Sequence, residues 1–71
     1  MPREDAIRAE SVIVAALPNG LFQAELSNGH RLRAWLSAKT RANIGPLASG
    51  DRVTVEISPF DLSQGEIVGK V

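Results

Sequence analysis

Apolar and polar side chains alternate along most of this 71-residue chain. A period of two with one apolar face predicts half-buried strands. From Ile7 to Leu17 the chain is rich in Val, Ile and Ala and predicts a long first strand, with Val12 and Val14 on one face. Pro18-Asn19-Gly20 stops it with strong turn chemistry. Leu21 to Leu26 then sets Phe22, Ala24 and Leu26 against Gln23 and Glu25. His30 to Leu36 sets Leu32, Ala34 and Leu36 against Arg31, Arg33 and Trp35.

The link between these two strands fixes their register. A two-residue turn at Asn28-Gly29 would pair Leu26 with Arg31 and Ala24 with Arg33, mixing the apolar face with the charged one. A three-residue loop, Ser27-Asn28-Gly29, pairs Leu26 with His30, Ala24 with Leu32 and Phe22 with Ala34. That register keeps the apolar face whole. It puts Gly29 at the left-handed position of a turn with a glycine bulge. On the outer face it sets Glu25 opposite Arg31, Gln23 opposite Arg33 and Leu21 opposite Trp35.

Ser37 to Ile44 breaks the alternation. Ser37 is a good N-cap, Ala38 and Ala42 favour helix, and Gly45-Pro46 is a stop signal. Ile44 and Leu47 are the expected anchors of this short helix. Gly50-Asp51 turns into a fourth strand, Arg52 to Ser58, with Val53, Val55 and Ile57 inward. Pro59 ends it. Phe60 to Gly65 is expected as a loop, and Glu66 to Val71 as a fifth strand. An all-β chain of five strands, with a short helix between strands 3 and 4, has the element order of an OB-fold barrel. An SH3-like barrel also has five strands but less often carries a helix there. Closing the sheet removes exposed edges.

The length fits one domain over residues 1–71, with residues 1–6 as a flexible, charged lead-in. There is no cysteine, so disulfides and thiolate metal sites are excluded. No apolar run approaches the ~20 residues of a membrane helix, and Met1 to Glu10 lacks the apolar stretch of a signal peptide. The cytoplasm is the expected location.

Charge changes the picture. The chain is formally neutral, with 8 basic and 8 acidic side chains. Yet no carboxylate falls between Glu25 and Asp51, where Arg31, Arg33, Lys39, Arg41, His30 and Trp35 lie. That middle segment carries four cations, while each flank has two basic and four acidic side chains. Such sorting predicts one cationic surface facing a polyanion. Neutrality overall argues against a sequence-blind nucleic-acid coat. Arg31, Arg33 and Trp35 share a strand face, a pattern suited to holding phosphates and stacking an unpaired base. The bland alternative is a solvated face with Trp35 packed on the barrel. Lys39 and Arg41 sit two apart on the short helix and point to different sides.

Catalysis finds little support. One histidine, no cysteine and scattered carboxylates form no triad and no metal-ligand spacing. Asp51, Glu56, Asp61 and Glu66 recur every five residues, a spacing not expected to converge on one point. No glycine-rich phosphate loop is present. Neither an enzyme nor a cofactor is expected.

The order of these pieces resembles the bacterial translation initiation factor 1 family, which has an S1-type OB-fold. The resemblance runs over the full length without gaps. Its anchors are Glu4-Asp5, Leu17-Pro18-Asn19 and Glu25-Leu26-Ser27-Asn28-Gly29-His30. Lys39, Arg41 and Asn43 follow in the helix. Gly50 to Glu56, Ser58-Pro59-Phe60-Asp61-Leu62-Ser63 and Gly65 complete the set. Each piece is common; together, in order and at these spacings, they are specific. The resemblance implies a non-catalytic factor that binds the small ribosomal subunit at its aminoacyl-tRNA site. It implies contacts with ribosomal RNA and a neighbouring ribosomal protein, and cooperation with initiation factors 2 and 3. It assigns RNA contact to Lys39 and Arg41, with His30 and Lys70 as lesser candidates, and a monomer is expected. The chain departs from the family at Ala42, Ile44, Gly45, Pro46, Gln64 and Glu66, where further basic or aromatic residues are usual, and at Trp35, a histidine-like position. Arg31 and Arg33 offer compensation, and a divergent member fits this pattern.

Two other functions remain open at this point. A general single-stranded RNA binder or RNA chaperone of the cold-shock type would rely on several exposed aromatics, of which this chain offers few. A protein-interaction module without RNA binding would be indifferent to charge reversal at Lys39 and Arg41.

Overall fold

Inward-facing apolar side chains on five strands meet in one core. The computed structural model describes residues 6–71. The expected lead-in therefore lies, except for Ala6, outside the described residues. The strands are β1 (Ile7–Ala16), β2 (Leu21–Leu26), β3 (Arg31–Leu36), β4 (Arg52–Ser58) and β5 (Asp61–Lys70). A helix, α1 (Ala38–Ile44), lies between β3 and β4. The strands close in the order β1-β2-β3-β5-β4. All neighbours are antiparallel except β3 and β5, which run parallel. Ile13, Ala24, Leu32, Ala34, Leu36, Val53, Val55, Ile57 and Ile67 form the core. Phe22, Leu26, Ile44 and Leu47 pack against it, so the helix is anchored by the two expected residues.

The β2–β3 register is the one the apolar face demands. Ala24 pairs with Leu32 and Phe22 with Ala34, while Glu25 faces Arg31, Gln23 faces Arg33 and Leu21 faces Trp35. Leu26 N–H donates to His30 C=O at 2.8 Å, and Gly29 takes φ +88°, a value that favours glycine. Local chemistry also sets the helix ends. The Ser37 hydroxyl accepts from Thr40 N–H at 3.2 Å, and Gly45 (φ +74°) donates its N–H to Arg41 C=O at 2.8 Å.

Two expectations change. The segment Phe60 to Gly65 is not a loop: β5 starts at Asp61 and Ser58 pairs with Asp61 across a tight turn. The β4–β5 register then jumps, because Ile57 pairs with Gly65, leaving Leu62, Ser63 and Gln64 as a bulge. Gly65 is where β5 passes closest to its neighbours. A Cβ there would meet Glu56 O at 3.1 Å and Leu32 Cδ1 at 3.2 Å, so a larger side chain would crowd both walls. The other change is on β1. Val12 and Val14 do not form the buried face: Ser11 and Ile13 point inward and Val12 is exposed. Ser11 is paired with Leu26 on one side and Val53 on the other, and the register shifts between Ile13 and Ala15. Pairing on both edges thus overrides the preference to bury valine rather than serine.

Candidate nucleic-acid interface

β3 alternates perfectly between exposed and buried positions, so Arg31, Arg33 and Trp35 form one exposed row. Across the barrel wall this row meets Glu25, Gln23 and Leu21 on β2 and, from Arg33 onward, Gln64 and Glu66 on β5. Arg31 is ion-paired with Glu25 at 3.7 Å, both side chains remaining well exposed. Such a surface pair is loosely held, and a phosphate can compete for the guanidinium. Among the described residues Arg33, Lys39 and Arg41 form no ion pair.

The helix follows this row directly in the chain. Ser37 turns the chain from β3 into α1, where Lys39 and Arg41 are both exposed. Arg41, exposed, lines a recess together with Phe22, Leu36, Pro46 and Leu47. A Cβ at Gly20 would lie 3.5 Å from Arg41 Nη2. Gly20 adjoins Leu21, the partner of Trp35, so this guanidinium stands at the Trp35 end of the row.

The two lesser candidates sit differently. Lys70 is ion-paired with Asp51 at 3.7 Å, three residues beyond the last β5 position paired with β3. It is not brought into the β3 row. His30 flanks the row, but its Nε2 is hydrogen-bonded to Leu62 C=O at 2.7 Å. The ring thereby ties the β2–β3 turn to the start of β5.

Carboxylates bound the surface more closely than the charge pattern predicts. Trp35, 40% exposed, lines a groove with Glu56, Asp61, Gln64 and Glu66. Three members of the five-residue series therefore share one groove, and Asp51 stands apart with Lys70. They do not converge on a metal-binding cluster among the described residues. Glu56 faces Glu66 directly, and Arg8 offsets Glu56 at 3.2 Å. Asp61 accepts from the Ser63 hydroxyl, the Ser63 N–H and the Gln64 amide, in that order of influence, and these hold its carboxyl below the usual carboxylate range. Arg33 adds to the same shift. The only sequence signal for this groove was the regular acidic spacing, and the unanticipated bulge hid its meaning.

Comparison with known proteins agrees with this architecture. A family model described as translation initiation factor 1A / IF-1 matches residues 1–71. The chain is also similar to the solution structure of translation initiation factor 1 from the Wolbachia endosymbiont strain TRS of Brugia malayi. The two share 31% sequence identity with a TM-score of 0.76, over 96% of this chain and 80% of that one. The closed five-stranded barrel with its short helix α1 is an OB-fold like that of the Wolbachia factor. The matching family consists of translation factors rather than enzymes, and among the described residues no helix is long and apolar enough to cross a membrane. The chain belongs to the translation initiation factor 1A / IF-1 family.

Proposed function

We propose that this chain binds the small ribosomal subunit at its aminoacyl-tRNA site and acts there without catalysis. Arg31, Arg33, Lys39 and Arg41 hold ribosomal RNA phosphates, contacts that position the protein rather than read sequence. Trp35 offers a stacking face to an unpaired base. His30 and Lys70 contribute less, because each already has a partner within the barrel. The protein works as a cytoplasmic monomer, touches a neighbouring ribosomal protein, and cooperates with initiation factors 2 and 3. The observation that carries this reading is the exposed row on β3 leading into α1, with three cations unpaired among the described residues.

Co-sedimentation with purified small subunits tests it. The protein is expected to pellet with them at low salt and to compete with an established family member. Log affinity is expected to fall with log salt at a slope of about −3 to −4, from roughly 0.7–0.9 per phosphate contact. Unstructured RNA of similar length should bind far less well. Absence from the pellet, or a flat salt response, would remove the reading.

A further inference from the structure

Phe60 is 86% exposed, more than any other large apolar side chain among the described residues. A lone exposed apolar residue needs no explanation by itself. This one stands on a braced turn. Phe60 occupies the tip of the Pro59-Phe60 turn between β4 and β5, where its own N–H donates to Ser58 Oγ at 3.1 Å. Immediately after it, Asp61 accepts from Ser63 N–H at 3.0 Å and from Gln64 Nε2 at 2.9 Å. One residue further on, His30 clasps the Leu62 carbonyl. The turn is therefore ordered before anything binds, which lowers the entropic cost of using its tip.

The turn also stands beside the cationic row. Arg33 pairs in register with Gln64, and its charge acts on Asp61. In OB barrels the β4–β5 loop flanks the strand 2–3 face along which nucleic acid lies. Resting on the ribosomal RNA reading above, we propose that Phe60 is a base-stacking residue. An unpaired RNA base lies on its ring while Arg33 and Arg31 hold the adjoining phosphates. A protein pocket is the weaker occupant. An anchor for such a pocket stands in a broad apolar patch, whereas here only Pro59 and Leu62 adjoin Phe60 as exposed apolar residues, among Ser58, Asp61, Ser63 and Gln64; the charges are positive on the β3 side, and Glu56, Asp61 and Glu66 line the groove on the other.

The test compares Phe60→Ala, Phe60→Tyr and Phe60→Leu in binding to purified small subunits, with thermal unfolding measured for each. Alanine is expected to weaken binding about tenfold, within the range for losing one base stack. Tyrosine should bind like the wild type, and leucine like alanine, because leucine has no π face. The salt slope should be the same in all three, since no phosphate contact is lost. Melting temperatures should be unchanged, as the ring supports nothing in the core. Wild-type affinity in the alanine variant, or full rescue by leucine, overturns the inference while leaving subunit docking intact. Absence of wild-type binding overturns both.

Discussion

Replacing Ile67 with alanine is expected to lower the unfolding free energy by about 2–5 kcal/mol, the usual cost of emptying a buried isoleucine site. Ile67 is fully buried on β5, opposite Leu36 of β3 on one side and Val55 of β4 on the other. Both partners belong to the core, so the vacated volume is walled by strands that hydrogen bonds hold at fixed spacing. A domain of this size has a total stability of roughly 0.05–0.15 kcal/mol per residue. The loss is thus a large share of everything holding the barrel shut. At about 4–8 °C per kcal/mol, the melting temperature should fall by roughly 10 °C or more. Thermal unfolding followed by circular dichroism checks this. A fall of under about 3 °C would mean that the walls relax into the gap.

Reversing both helix cations, Lys39→Glu with Arg41→Glu, is expected to weaken binding to isolated small subunits roughly 30- to 100-fold at about 0.1 M salt. Two phosphate contacts at about 0.7–0.9 each account for some one and a half decades at that salt, and the introduced carboxylates add repulsion. The salt slope should become shallower by about 1.5–2. Both residues are exposed, so the fold should survive, although Arg41 lines a recess with Phe22 and Leu36 and a small stability loss is expected. Retention of wild-type affinity would remove α1 from the interface and favour a partner that reads protein rather than phosphate.

Where each feature could be read from the chain depended on how local its cause is. The β2–β3 register was legible because one turn and one apolar face determine it. Gly29 supplies the left-handed residue, and any slip would bury Arg31 or Arg33. The helix was legible because Ser37 and Gly45 bracket it. β5 was not. Asp61 to Gln64 are all exposed and show no alternation, and they are strand only because β4 and β3 pair around them. The inward turn of Ser11 has the same origin, since partners on β2 and β4 far away in the chain impose it. For the candidate interface, the row on β3 followed from parity alone. The groove of Glu56, Asp61 and Glu66 beside Trp35 did not, because simple hairpin counting from the Ser58–Asp61 pair never brings Glu56 opposite Glu66.

The pairing of β1 with β4 has a kinetic consequence. Ile7 meets Ile57 fifty positions away, and no part of the first strand finds that partner until the intervening chain has been drawn together. Entropy is spent on this long closure before contact rewards it. Refolding is therefore expected in milliseconds to seconds, as for other chains dominated by distant pairings, and not in the microseconds open to helical bundles. Trp35, the sole tryptophan, supplies the optical signal for a stopped-flow measurement. A signal complete within the instrument's dead time would show that bringing the ends of the chain together is not the slow step.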